Sequence, residues 1–141
     1  MPKEKYRLLI VDDCEDDRFL LERGLQKLSG IEVVASLEDG EYAIDYLRGQ
    51  NGYSDRSLFP LPDVLVVDID MPRVSGFDVL QWLKEQNFSG LQVIAMSDSR
   101  SKEELARISA LGASHFINKN EPIDTAQAIH GFLTASRLSD C

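Results

Sequence analysis

Short runs of apolar residues alternate along the chain with longer segments in which apolar residues recur every three or four positions. Five runs are rich in valine and isoleucine and are too short for helices: residues 6–11, 31–36, 63–67, 91–96 and 114–118. Several of them are nearly continuous, which is typical of parallel strands covered on both faces. We therefore predict five strands in one buried parallel sheet.

The segment after each run carries the apolar stripe of an amphipathic helix. Ser75 with Asp78 and Ser101 with Glu104 have the spacing of capping boxes, and Pro122 suits a first helical turn. Strands that alternate with helices imply right-handed crossovers and a doubly wound α/β sandwich. We expect the 141 residues to form one domain, with a core over about residues 5–137 and no output domain.

The composition narrows the classes of function. Acidic residues outnumber basic residues 24 to 15, giving a formal charge of −9, which argues against direct nucleic-acid binding. No apolar stretch is long enough for a membrane span or a signal peptide. Cys14 and Cys141 form no metal-binding or disulfide pattern, which fits a reducing cytoplasm, and we expect Cys14 to be an inert, partly buried thiol.

The connection over residues 49–62 is longer than usual for such a fold. Its residues Tyr53, Leu58 and Phe59 could form a patch that binds a partner. Packing over the adjacent helix is the more ordinary interpretation, and it is the one that we favour.

Polar side chains follow the predicted strands at the point where each strand ends. In open parallel sheets, ligands collect beyond the carboxyl ends of the strands, so these side chains should converge. Each has an ordinary explanation when taken alone, for example that Asp13 or Asp17 caps the first helix. Their joint occurrence on successive strands favours a site. They are Asp12 and Asp13 after the first strand, Asp68 and Asp70 at the third, Ser97 at the fourth and Lys119 at the fifth.

Three carboxylates at one edge repel each other unless a cation joins them. Mg²⁺ is the natural candidate, because it prefers hard oxygen ligands and is commonly held by carboxylates together with a phosphate oxygen. A nearby lysine and hydroxyl suit a phosphoryl group. A carboxylate can attack phosphorus when a metal screens its charge, and Asp68 ends the central apolar strand. We predict an acyl phosphate on Asp68.

These residues lie in motifs that resemble the receiver domain of two-component response regulators, of the single-domain type. The motifs are Val11-Asp12-Asp13, residues 68–76 (DIDMPRVSG), Met96-Ser97 and residues 112–119 (GASHFINK). The resemblance covers nearly the whole chain and implies a CheY-like, flavodoxin-like fold with strand order 2-1-3-4-5. The long loop before the third strand is also similar to that of regulators found with bacteriophytochromes.

The resemblance implies a chemical role for each acidic residue. Asp68 would be the phosphoacceptor and a metal ligand. Asp12 and Asp13 would hold Mg²⁺ directly or through water, and the backbone carbonyl of Asp70 would complete the shell. The phosphoryl donor would be a histidine kinase or a histidine phosphotransfer protein.

The resemblance also implies a switch. Ser97 would be the hydroxyl that moves to the phosphoryl oxygen, Lys119 the cation that pairs with it, and Phe116 the aromatic residue whose rotamer follows. The signal would leave through the face made by the fourth helix, fifth strand and fifth helix, toward a downstream protein. A homodimer stays open as an alternative.

Two positions depart from the family pattern. Asn120 stands where the family usually has proline, and a non-proline cis peptide costs about 2.5–4 kcal/mol. Asp98 follows the switch hydroxyl, where a small residue is usual. Asp70, Asp98 and Ser99 are expected to tune dephosphorylation.

Two other functions fit parts of the sequence. A pseudo-receiver would bind partners without phosphorylation, an interpretation that Asp98 and Asn120 favour. A phosphatase of the haloacid dehalogenase type would also use an aspartyl phosphate and Mg²⁺, and residues 68–70 fit its Asp-x-Asp signature. Against the phosphatase, the chain is short for that fold and the acidic pair precedes the nucleophile.

Overall fold

The computed structural model describes residues 5–86, 88, 90–98, 101–119 and 122–139, with the backbone alone at 122–123 and 136–139. Each predicted strand is present within one residue of its predicted bounds, and the last helix continues slightly past residue 137. The elements are β1 (Tyr6–Val11), α1 (Glu15–Gln26), β2 (Ile31–Leu37), α2 (Gly40–Arg48), β3 (Val64–Asp68), α3 (Gly76–Gln86), β4 (Gln92–Ser97), α4 (Lys102–Ala110), β5 (His115–Asn118) and α5 (Pro122–Ser139).

The five strands form one parallel sheet in the order β2-β1-β3-β4-β5, as the family resemblance implied. β3 lies at the centre, and all of its residues are buried. Its register aligns Val67 with Val11 of β1 and with Ala95 of β4. The three central strands therefore end at nearly the same level, which sets the position of any group that follows them.

Alternate residues of the central strands contribute side chains to two separate hydrophobic cores, because successive side chains of a strand point to opposite faces. Leu65 and Val67 join the core that also contains Val79 and Leu80 of α3 and Ile108 of α4. The opposite face of the sheet packs against α1 and α5, through residues that include Leu21, Leu25, Ile129 and Leu133. The nearly continuous apolar runs thus reflect burial on both faces.

The predicted helix caps are present. Ser75 and Asp78 form a capping box in which the Ser75 N–H donates to Asp78 Oδ2 at 2.9 Å. Ser101 caps α4 by accepting a hydrogen bond from the Glu104 N–H. The N-cap of α1 is Cys14, so Asp13 does not occupy that position. Cys14 is exposed, and the expectation of a partly buried thiol is wrong.

The long connection between α2 and β3 packs largely against α2. Tyr53 and Phe59 contact each other and Tyr46, with ring centroids between 5.1 and 6.1 Å apart. Arg56 donates hydrogen bonds to the backbone carbonyls of Tyr46 and Leu47 at the end of α2. Packing over the helix is therefore confirmed for Tyr53 and Phe59. Leu58, the third residue of the predicted patch, is exposed. Along the described chain, no helix combines the length and apolar character needed to cross a membrane.

Candidate functional site

The polar residues predicted at the strand ends meet at the carboxyl edge of the sheet. Asp12 directly follows β1, while Asp68 and Ser97 are the last residues of β3 and β4. The backbone N–H of Lys119 donates to the carbonyl of Ser97 at 2.9 Å, which fixes the residue after β5 beside β4. Residues from four strand ends thus meet in one candidate site at the carboxyl edge of the sheet.

Three carboxylates lie together at the carboxyl edge of the sheet. Asp12 and Asp68 are only 1% and 3% exposed, whereas Asp13 is exposed. One oxygen from each of the three lies within 4.8 Å of the others. Burial raises the pKa of Asp68 to about 7, although a hydrogen bond from the Asp70 N–H and the charge of Lys119 act in the opposite direction. Gathering these carboxylates is therefore unfavourable without added positive charge.

Lys119 supplies part of that charge. Its Nζ lies 2.8 Å from Asp12 Oδ2 and 3.0 Å from Asp68 Oδ2. Burial alone would lower the pKa of Lys119, but its contacts with Asp12 and Asp68 outweigh that effect and raise the pKa above its ordinary value. The lysine is therefore a permanent cation between the two buried carboxylates.

Asp17 is a further acid at Lys119, and sequence reasoning considered it only as a helix cap. Its Oδ2 lies 3.3 Å from Lys119 Nζ. Asp17 stands in the first turn of α1, which begins just after the acidic pair and therefore lies at the same edge of the sheet. The short connection from Asp13 to α1 was the sequence signal that could have indicated the position of Asp17 at this edge.

The hydroxyl of Ser97 contacts two acidic side chains. It donates to Asp70 Oδ2 at 3.0 Å and lies 3.4 Å from Glu104 Oε1. Sequence reasoning named Ser97 and Asp70 for this site but considered Glu104 only as part of a capping box. The spacing did not reveal the contact, because the side chain of Glu104 reaches back across the β4–α4 connection.

The loop between β3 and α3 is closed tightly over the end of β3. The Asp70 N–H donates to Asp68 Oδ1 at 3.0 Å, and the Gly76 N–H donates to the Ile69 carbonyl at 3.1 Å. A Cβ at Gly76 would lie 2.5 Å from Ile69 Cα and 2.6 Å from the carbonyl oxygen of Asp68. Only glycine fits this approach, so the glycine that ends the DIDMPRVSG motif has a steric role beside the phosphoacceptor candidate.

The other predicted residues lie around this centre. Phe116 is half-buried and packs against the core on the α3 side of the sheet. Asp98 is exposed. Ser99 and Asn120 lie outside the described residues, so their predicted roles stay predictions.

The three carboxylates fit a divalent cation with oxygen ligands. Mg²⁺ takes oxygen ligands at about 2.0–2.1 Å in an octahedron, so opposite ligands are about 4 Å apart. Oxygens of Asp12, Asp13 and Asp68 that already lie within 4.8 Å of one another need little movement to reach that spacing. The buried Asp12 Oδ2 already has Lys119 Nζ 2.8 Å away, so a cation bound by Asp12 would share this carboxylate with Lys119.

Comparison with known families agrees with this geometry. The family model described as "Response regulator receiver domain" matches residues 8–130. The chain belongs to the response regulator receiver family. The matched region of this receiver runs from β1 into α5 and includes all of the residues that meet at the carboxyl edge, which is consistent with a place in two-component signalling.

Relatives of this receiver include longer proteins. It is 31% identical over 126 residues to protein-glutamate methylesterase/protein-glutamine glutaminase 2 of Xanthomonas oryzae pv. oryzae (strain MAFF 311018). That similarity covers 89% of this chain and 32% of the relative. The chain thus spans about a third of the length of the curated relatives that it matches.

Solved structures of response regulators share the fold. The phosphorylated cyanobacterial phytochrome response regulator RcpA has a TM-score of 0.80 at 22% identity, covering 94% of this chain and 96% of its own. The bacteriophytochrome response regulator AtBRR has a TM-score of 0.69 at 30% identity, covering 89% and 91%. The predicted similarity to bacteriophytochrome-associated regulators is confirmed.

Proposed function

We propose that this receiver accepts a phosphoryl group on Asp68 and signals by phosphorylation-controlled protein binding. One observation carries the proposal: a buried carboxylate at the end of the central strand lies 3.0 Å from Lys119 Nζ and shares a 4.8 Å cluster with two further carboxylates. A nucleophile, a cation for the incoming anion and a set of metal ligands are thus combined at one sheet edge.

The transfer reaction follows from this arrangement. An ionised Asp68 oxygen forms a bond to phosphorus, the bond from phosphorus to the donor nitrogen of a phosphohistidine breaks, and the imidazole keeps the electron pair and takes up a proton. The ammonium of Lys119 then pairs with a phosphoryl oxygen, and the Ser97 hydroxyl donates a hydrogen bond to another. Phe116 repacks as Ser97 moves.

Mg²⁺ would be held by Asp12, Asp13, Asp68 and the backbone carbonyl of Asp70. When bound, it neutralises charge on the carboxylates and on the phosphoryl oxygens. The cluster of three carboxylates and the raised pKa of Asp68 support this assignment, since both indicate that the site needs further positive charge.

The donor would be a histidine kinase or a histidine phosphotransfer protein in the cytoplasm. RcpA, which shares this fold, is a phosphorylated response regulator, and this analogy of fold supports phosphorylation. We infer that the receiver domain comprises about residues 5–137. Its output would pass through the face formed by α4, β5 and α5 to a downstream protein.

Intact-mass spectrometry tests the proposal. The protein is incubated with Mg²⁺ and acetyl phosphate, beside Asp68→Asn, a chelator control and the exposed-loop variant Asp55→Asn. We expect one added phosphoryl group in the wild type and in Asp55→Asn, and none in the other two samples. A folded wild type that forms no adduct and releases no phosphate would favour the pseudo-receiver. Repeated turnover of small phosphate esters would favour the phosphatase.

A further inference from the structure

The buried hydroxyl of Ser97 lies between carboxylates from two separate elements. Ser97 Oγ donates to Asp70 Oδ2 at 3.0 Å and lies 3.4 Å from Glu104 Oε1. Asp70 belongs to the β3–α3 loop, and Glu104 belongs to the first turn of α4. Ser97 itself is fully buried at the end of β4. The hydroxyl therefore connects the sheet with two elements that flank the candidate site.

These contacts compete with the role proposed for Ser97 at a phosphoryl group. A serine hydroxyl has one proton to donate, so it cannot donate to a phosphoryl oxygen while it donates to Asp70. Hydrogen bonds to ionised acceptors are stronger than hydrogen bonds between neutral groups. The competing acceptor is therefore a strong one.

Glu104 extends the connection into α4. Its backbone N–H donates to Ser101 Oγ, the N-cap of the helix, while its side chain approaches Ser97. Movement of the Ser97 hydroxyl toward Asp68 would thus break a contact between β4 and the N-terminal turn of α4. The first turn of this helix would keep its Ser101 cap but lose its contact with the end of β4.

The geometry points to Asp70 and Glu104 as positioning residues that hold the Ser97 hydroxyl in the unphosphorylated protein and oppose its transfer to a phosphoryl oxygen. This inference rests on the proposed function and adds a regulatory restraint to the same site. Asp70 accepts the competing hydrogen bond and Glu104 is a second, more distant acceptor for the same proton, so both acids lower the affinity of the site for a phosphoryl group. The contribution of Asp70 exceeds that of Glu104, because its contact with Ser97 is shorter.

Equilibrium binding of beryllofluoride, a phosphoryl mimic, measures this restraint. The full chain is titrated at saturating Mg²⁺ by isothermal titration calorimetry as wild type, Asp70→Asn and Glu104→Gln. The matched control is Glu103→Gln, which removes the neighbouring exposed acid of α4. Each change is repeated in a Ser97→Ala background, and urea unfolding confirms that every variant is folded.

We expect Asp70→Asn to tighten beryllofluoride binding about fivefold and Glu104→Gln about twofold, because each change replaces a charged acceptor for the single Ser97 hydroxyl proton with a neutral one. Glu103→Gln should have no such effect, and the gains should disappear with Ser97→Ala. Gains that persist without the hydroxyl, or an equal gain in Glu103→Gln, would overturn the inference, since charge repulsion would explain them. Failure of every variant to bind would instead overturn the proposed function, and this inference with it.

Discussion

Replacing Gly76 with alanine tests how closely the β3–α3 loop is packed on the end of β3. The new Cβ would lie 2.5 Å from Ile69 Cα and 2.6 Å from the carbonyl oxygen of Asp68. Both atoms belong to the backbone and cannot rotate away, so either the loop or the end of β3 must move. Inserting a methyl group into well-packed structure typically costs about 1–3 kcal/mol, and we expect the upper end of that range here.

The matched control is Gly131→Ala in α5. A Cβ at Gly131 meets no atom within 4 Å, and alanine is favoured over glycine in a helix by about 1 kcal/mol. The same chemical change should therefore destabilise the protein at one position and stabilise it at the other.

Urea denaturation measures both effects. With a typical slope of about 1–3 kcal/mol per molar urea, a loss of about 3 kcal/mol lowers the Gly76→Ala midpoint by at least about 1 M. The midpoint of Gly131→Ala should rise. Because the clash involves the carbonyl of Asp68, Mg²⁺ affinity measured by calorimetry should also fall in Gly76→Ala alone. Equal midpoints for Gly76→Ala and the wild type would refute the close approach described for this loop.

Three further predictions follow from the buried charges and the long loop. Lys119→Met should destabilise the metal-free protein by about 3 kcal/mol, because Asp12 and Asp68 lose their cation, and added Mg²⁺ should restore part of the melting temperature in a thermal-shift assay. An unchanged melting temperature would contradict this pairing. Because the folded-state pKa of Asp68 is raised to about 7, its ionisation opposes folding above its unfolded pKa, so metal-free Asp68→Asn should gain unfolding free energy over the wild type as pH rises from about 4 to 7, measured by urea titration. A gain that is the same at both pH values would count against the raised pKa. Arg56→Ala should speed proteolysis within residues 49–62 severalfold, unlike the exposed control Arg48→Ala, because it removes the hydrogen bonds to the end of α2.

The sequence predicted those parts of the molecule that depend on local patterns. Capping boxes such as Ser75 with Asp78 involve neighbouring residues, so spacing alone indicates them. The convergence of Asp12, Asp68 and Lys119 was also predictable, because parallel strands share one carboxyl edge. Pattern and topology together therefore accounted for the sheet and for the centre of the candidate site.

Contacts that depend on the path of a side chain across the fold were not predictable. The short connection before α1 indicated that Asp17 would lie at this edge, but its approach to Lys119 depends on the angle at which α1 leaves the sheet. The approach of Glu104 to Ser97 depends on the position of α4 relative to β4. The exposure of Cys14 was predicted wrongly, because it depends on how the chain turns between the buried β1 and the start of α1.

The position of Asp68 on β3 keeps the phosphoacceptor candidate on a strand that local opening of the protein leaves intact. β3 is paired on both sides and buried along its whole length, so its amide hydrogens should exchange only when most of the sheet opens. Transient opening of single helices or loops would leave the backbone that carries the carboxylate in place. Water that hydrolyses an acyl phosphate formed there would have to enter past the side chains around the site. Substitutions at those side chains could therefore change the rate of acyl phosphate hydrolysis during evolution while the stability of the fold stays the same.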